Sequence, residues 1–216
     1  MALTVQDLIR TARMTQLDDP DGTTWPDSAM LHGLNEALRM LALLRPDATS
    51  VIHTLVVVAG TRQFIPSDGE RLLKVVRNIN SDDSIGRAIR LVNQNDMDSM
   101  SPDWHQQVGT RVSEYCFDDR TPKWFYIYPS VAAGSKIEIE YSKTPPALGL
   151  EDLDDDIPVS VIFSQPLQEL MLYKLLSGDS SRGQASTNHL NTAVQMLGLK
   201  TAADVFSSPT QRDGAR

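Results

Sequence analysis

Apolar residues at three- and four-residue spacing open and close the chain, and this spacing predicts amphipathic helices at both ends. The first helix is predicted to begin after Thr4, whose hydroxyl caps it, and to stop near Leu17. The second begins with Asp27 as its cap and ends before Pro46, because the residue preceding a proline disfavours helical geometry. The predicted buried stripes are Val5, Leu8, Ile9 and Ala12, then Met30, Leu31, Leu34, Leu38, Leu41 and Leu44.

Two further helices are predicted between Ile157 and Lys200. Pro166 lies near the start of the first, either harmlessly in the first turn or as a bend in a helix that began earlier. Gly198 suits the left-handed position that closes the last helix. The predicted stripes are Ile162, Phe163, Leu167, Leu170, Met171 and Leu175, then His189, Leu190, Ala193, Val194 and Leu197.

Between these helical patterns the apolar period changes to two, which predicts a series of short β-strands. Because no long helices separate the strands, the predicted fold class is α+β: a split helical bundle with an inserted antiparallel β-sandwich or small barrel. In the last strand, Ile137, Ile139 and Tyr141 are predicted to point inward, and Lys136, Glu138 and Glu140 to form an edge-facing polar row.

The resulting domain organisation has four segments. Residues 1–48 are predicted to form the first half of the bundle and residues 49–156 the inserted β-rich domain. Residues 157–200 are predicted to complete the bundle, and residues 201–216 to form a flexible C-terminal tail of small and polar residues.

Composition and charge narrow the range of functions. The 28 acidic and 20 basic side chains give a net charge of -8, which argues against a protein that grips nucleic-acid phosphates over a broad surface. Cys116 is the single cysteine, so an intrachain disulfide is impossible and a cytoplasmic compartment is expected. The most apolar window, residues 51–60, is interrupted by His53 and too short to span a bilayer, so a protein without a membrane segment is expected.

Candidate metal and catalytic motifs are weak. The chain has no glycine-rich phosphate loop, nucleophile elbow or paired metal-ligand histidines on one helix, so no catalytic residue, cofactor or enzymatic activity is predicted. Two acidic runs lack the turning glycine and distal glutamate of a calcium loop, so no metal site is predicted: Asp19, Asp21 and Thr23, and Asp152, Asp154 and Asp156.

Two clusters leave alternatives open. The aromatic residues either fill a core or interface, or form a sugar-stacking platform. The basic residues either meet DNA or an acidic subunit, or lie on a solvated sheet face. The clusters are Trp104, His105, Trp124, Phe125, Tyr126 and Tyr128, and Arg71, Lys74, Arg77, Arg87 and Arg90.

Eight phrases, in order over roughly residues 3 to 200, together resemble the head-to-tail adaptor (connector) proteins of tailed bacteriophages. Each phrase alone has little specificity, and the resemblance depends on their order. They are LNEALRMLALLRPDAT, VAGTRQFIP, RLLKVVRN, GRAIRLV, SPDWH, DDRTPKWFYIYPS, IEIEYSKTPPAL and LQELMLYKLLSGDS with HLNTAVQMLGLK.

The resemblance implies a structural virion protein of the neck, assembled in the bacterial host cytoplasm. The implied partners are further copies in a dodecameric ring, the portal protein, a tail or neck protein, and DNA passing through the lumen without sequence-specific binding. Two alternatives are another virion ring component, such as a tail terminator or tail tube protein, and a carbohydrate-binding β-domain protein.

Within the adaptor hypothesis, candidate contacts lie in the tail and at loop tips. The candidate portal-binding residues are Val205, Phe206, Pro209 and Arg212. The candidate ring or tail contacts are Asp82, Asp83, Ser84, Val131 and Ala132.

Overall fold

The computed structural model describes residues 3–198, and two compact units divide this part of the chain. We call residues 3–41 with 146–198 the helical unit, and Ala42–Pro145 the β-rich unit. The helices are α1 Val5–Ala12, α2 Asp27–Leu44, α3 Gln94–Met100, α4 Ser164–Leu176 and α5 Gly183–Met196. The strands are β1 Ser50–Val56, β2 Arg62–Phe64, β3 Gly69–Ile79, β4 Ile85–Ala88, β5 Arg90–Leu91, β6 Glu114–Cys116, β7 Trp124–Tyr128 and β8 Lys136–Lys143.

The first helix forms as its pattern predicts. The Thr4 hydroxyl accepts a hydrogen bond from the Asp7 N–H at 3.1 Å, which satisfies one of the unpaired donors at the helix start. A single π-helical stretch, Arg13–Leu17, continues α1, and Asp18 ends it in the left-handed region with φ of 49°. All four predicted stripe residues are buried: Val5, Leu8, Ile9 and Ala12.

The predicted capping role of Asp27 is wrong. Asp27 is the first residue of α2, and the carbonyl of Pro26 accepts the N–H groups of Ala29 and Met30 in the cap position. The Asp27 carboxylate instead forms an ion pair at 2.8 Å with Arg13, which lies on the other side of the loop that joins the two helices. The helix ends before Pro46, as predicted.

A buried glycine allows α2 and α4 to approach closely. A Cβ atom at Gly33 would lie 2.8 Å from Cγ of Leu175, well inside the contact distance of two carbons. Glycine in a helix interior costs about 1 kcal/mol relative to alanine. The close packing that Gly33 allows in the helical unit therefore offsets its low helix propensity.

The closing helices resolve the position of Pro166, which lies third in α4 and therefore in its first turn, where its missing N–H leaves no helical bond unmade. The predicted stripe is wrong at Ile162, which is 78% exposed because it precedes α4 in a short 3₁₀ turn. Gly198 takes the left-handed φ of 66° predicted for the residue that closes α5.

The β-rich unit contains two four-stranded sheets, which confirms the α+β fold class. The strand orders are β1-β8-β3-β4 and β2-β7-β6-β5, and all pairs are antiparallel except β5 with β6. Their shared core is a cluster of buried residues: Val57, Ile65, Leu72, Val75, Ile89, Val112, Tyr115, Phe125, Ile127, Val131, Ile137, Ile139 and Tyr141.

Strand β8 alternates as predicted, but it does not lie at an edge. It pairs with β1 on one side and β3 on the other, and its inward residues Ile137, Ile139 and Tyr141 are buried. The opposite polar row therefore covers the middle of the first sheet. Glu138 in this row forms an ion pair with Arg77 of β3 at 3.0 Å.

Candidate functional site

Five residues of the aromatic cluster pack against one another on the outer face of the second sheet, whereas Phe125 lies in the core of the β-rich unit. Trp104 is fully buried, and its indole N–H donates to the Asp98 carboxylate at 2.8 Å. Its ring stacks on His105 at 3.7 Å between centroids and meets the edge of Tyr126 at 5.7 Å. This arrangement favours the packing interpretation over an open sugar-stacking platform, since Trp104 presents no face to solvent.

The connection between β5 and β6 holds this aromatic layer in place. The Thr61 hydroxyl and His105 Nδ1 are hydrogen-bonded at 2.8 Å, and the Tyr128 hydroxyl donates to the Gln107 side chain at 2.6 Å. Trp124 lies at the rim of the layer, half-buried, with its ring 5.2 Å from that of Tyr126.

Most of the predicted basic cluster is neutralised by acidic neighbours. Arg71 pairs with Asp119 at 2.8 Å, and Arg90 pairs with Glu114 at 2.6 Å. Arg77 is also paired, as described above. Arg71 and Arg77 lie on the first sheet and Arg90 on the second, and their acidic partners make them a poor match for a polyanion.

In the first acidic loop, the carboxylate of Asp19 binds backbone N–H groups of the loop itself. The buried Asp19 carboxylate accepts hydrogen bonds from the N–H groups of Thr23 at 2.9 Å, Thr24 at 3.2 and 3.3 Å, and Trp25 at 2.8 Å. Burial acts to raise the pKa of Asp19, and these donors outweigh it, so the pKa lies below the ordinary value of 3.8. Across residues 3–198, no group of three or more His, Cys, Asp or Glu side chains is arranged to hold a metal ion.

Cys116 is a structural thiol. It is buried, and burial followed by the negative charge of Asp98 raises its pKa from 9.0 to about 11. Since the thiolate is the nucleophilic form, both the raised pKa and the burial disfavour reaction of Cys116 at neutral pH.

Acid is expected to destabilise the β-rich unit. The pKa of Asp68 is lowered chiefly by its hydrogen bond from Lys143, and that of Glu70 chiefly by its hydrogen bond from Thr144. A lowered pKa in the folded state means that the unfolded chain binds protons first as pH falls. Melting temperature should therefore stay level from pH 7 to about pH 5 and fall progressively below about pH 4. Scanning calorimetry at several pH values checks this, and a melting temperature independent of pH down to about 3 would contradict it.

The predicted contact loops come close together at one end of the β-rich unit. The turn at Asp82, Asp83 and Ser84 is exposed, and Asp83 forms an ion pair with Lys136 at 2.6 Å, beside the loop that carries Ala132. Both loops border an open depression of about 500 Å³. Ala132 is exposed. Val131 is only 5% exposed and packs in the core, so in this structure the Val131 side chain is not available for contact with a partner.

Asp82 also has an internal role. Its carboxylate accepts hydrogen bonds from the hydroxyl and the N–H of Ser84 at 2.6 and 3.1 Å, and these bonds lower its pKa. The remaining predicted contacts, Val205, Phe206, Pro209 and Arg212, lie outside the described residues.

The interpretation of the sequence missed a series of exposed apolar side chains on the β-rich unit. Strand β1 contributes two of them, Ile52 and Val56, from the apolar window of residues 51–60. The absence of charged residues from this window was the sequence signal that could have indicated an exposed apolar strand. The exposed residues are Leu43, Ile52, Val56, Val58, Phe64, Ile85, Leu91, Met100 and Val108.

None of the helices within residues 3–198 is long and apolar enough to cross a membrane. The fold and surface together define an α+β subunit whose exposed apolar residues suit assembly with other proteins. A family model described as SU10 adaptor protein matches residues 3–213, and the chain belongs to this family. It is therefore a structural phage adaptor, a component of the virion neck that associates with portal and tail proteins. A search of curated proteins finds no match.

Proposed function

We propose that the protein forms a dodecameric head-to-tail adaptor ring that joins the portal to the tail and lines the DNA channel. The observation that carries this proposal is family membership over nearly the whole chain. In this ring, residues 1–48 and 157–200 act as the helical support, residues 49–156 as the inserted β-rich domain, and residues 201–216 as the portal-binding tail.

Charge supports passage of DNA without specific binding. The net charge of -8 repels a polyanion on average, and most of the arginines of the sheet surface are already paired with carboxylates. A channel wall of this kind lets DNA slide without phosphate contacts that would hold it.

Electron microscopy of the purified protein, alone and mixed with portal rings, tests the proposal. We expect a twelvefold ring on the tail-facing side of the portal. Density at the distal end of the tail would instead support a tail terminator, and a monomer that never joins portal rings would refute the adaptor ring.

The tail hypothesis has its own test. The apolar Val205 and Phe206 stand among small polar residues, which is typical of a short docking segment. Removal of residues 201–216 is expected to lower incorporation onto portal-bearing heads at least about tenfold, the equivalent of losing about 1.4 kcal/mol of contact energy. A control truncation after residue 212 retains Val205 and Phe206 and should leave incorporation unchanged. Normal incorporation of the protein without residues 201–216 would contradict the hypothesis.

A carbohydrate-binding function has less support, because the aromatic residues are used in packing. Glycan binding that is lost on changing Trp124, the half-buried aromatic residue at the rim, would favour this alternative.

A further inference from the structure

Strand β1 is an unprotected sheet edge. Its seven residues, SVIHTLV, contain no charged side chain and no proline, and they pair with β8 in unbroken register from Ser50 opposite Ser142 to Val56 opposite Lys136. In the described part of the chain, no strand covers its other side. Proteins commonly protect such edges with lysine, proline or a bulge, because an open edge accepts another strand.

The outer face of this edge is apolar. Ile52, Thr54 and Val56 share one face because side chains alternate along a strand, and Ile52 and Val56 are 69% and 55% exposed. Exposed β-branched residues on an open edge supply both backbone hydrogen-bonding groups and apolar surface to an added strand.

The opposite edge of the same sheet, β4, completes the pattern. The register places Val56 opposite Lys136, Lys136 opposite Ile79, and Ile79 opposite Ile85, so these residues form one row across the four strands. Ile85 is 67% exposed. The row therefore ends in an exposed apolar side chain at both edges of the sheet.

The direction of the strands points to a second copy of this chain. All neighbours in this sheet are antiparallel and the number of strands is four, so β1 and β4 run in opposite directions. Copies related by rotation about an axis along the strands keep their strand directions. Under such a rotation the direction of β1 in one copy and of β4 in the next is suited to antiparallel pairing.

Charge also favours this pairing. Arg87 on β4 is exposed, and with Val56 beside Ile85 the antiparallel register would place Arg87 beside Thr54 of β1, a strand that carries no charged side chain. An added β4 therefore meets no like charge on β1, whereas pairing β4 with another β4 would add a second Arg87 to the same contact. The uncharged β1 and the positively charged β4 thus favour a head-to-tail contact.

We propose that β1 of one subunit pairs with β4 of a neighbouring copy, with Val56 beside Ile85, so that the first sheet continues from subunit to subunit. This inference rests on the proposed ring and names its subunit contact. The contact is heterologous, as a closed cyclic assembly requires.

Cysteine cross-linking tests the contact and its register. A protein with both Val56→Cys and Ile85→Cys is expected to form a ladder of covalent oligomers on mild oxidation, because directly opposed residues have Cβ atoms about 4.5–5.5 Å apart. Each single variant should stay monomeric on denaturing gels, and so should the wild-type protein, since Cys116 is buried. Dimers from Val56→Cys alone would overturn the proposal in favour of β1 pairing with itself.

A second experiment separates this contact from the ring itself. Ile52→Lys with Val56→Lys is expected to raise the concentration needed for ring formation at least tenfold, since lysines protect a sheet edge from added strands. Met100→Lys is the matched control, because Met100 is also exposed but lies on α3. Normal rings from the lysine variant, or rings of the double-cysteine variant without a ladder, overturn the β1–β4 contact and leave the ring intact. Absence of rings from the wild-type protein mixed with portal refutes both.

Discussion

Replacement of Trp104 by alanine is expected to destabilise the β-rich unit by about 3–5 kcal/mol, the range for truncating a fully buried large aromatic side chain. The substitution removes the ring that stacks on His105 and contacts Tyr126, and it leaves the Asp98 carboxylate without its indole donor. Urea unfolding followed by circular dichroism measures the loss.

Trp124→Ala is the matched control, because Trp124 lies in the same aromatic layer but is only half-buried. Its loss of stability should be smaller, since less area leaves the core. Equal losses from the two substitutions would show that Trp104 has no special role in holding the connection against the sheet.

Asn78→Ala should cost about 2–4 kcal/mol, because it leaves buried polar groups of the backbone without partners. The Asn78 amide donates to the carbonyls of Arg87 and Val112 at 2.9 and 2.8 Å, and its oxygen accepts the Val112 N–H at 2.9 Å. These bonds join β3 to β4 and to the segment that precedes β6. Thermal unfolding of the variant measures the effect, with stability compared at one temperature.

Asn80→Ala serves as the control two residues away, because the Asn80 side chain is exposed and bonds to the Ser84 hydroxyl and the Ile85 carbonyl at the exposed end of the hairpin. It is expected to change stability by less than about 0.5 kcal/mol. An equally small loss of stability from Asn78→Ala would contradict the expectation, since it would mean that water replaces the hydrogen bonds of the Asn78 amide at little cost.

Local patterns predicted the helices and most strands because their signals are short-range. The Thr4 cap, the left-handed Gly198 and the alternation of β8 each depend on residues a few positions apart. The same patterns failed where the structure depends on neighbours distant in sequence. The period of β8 is the same at an edge or in the middle of a sheet, so sequence placed its polar row at an edge, whereas pairing with β1 and β3 makes it central.

The family was recognisable from ordered phrases, whereas the candidate site was not. An exposed apolar residue such as Ile52 looks like a core residue in the sequence, because alternation does not tell which face is covered. Likewise Val131 lies in a small-residue loop but packs inward. Only strand order reveals which of the apolar positions stay open in the subunit.

The parallel pairing of β5 and β6 also shapes how the chain reaches this fold. A hairpin cannot join parallel strands, so residues 92–113 must cross over before β6 can pair, and this connection carries α3 and Trp104. Closing such a loop costs chain entropy that the β3–β4 hairpin avoids. The hairpin can therefore form early from local contacts. The second sheet forms only when β5, β6 and β7, which are separated by long connections, have come together, and such non-local pairing slows folding.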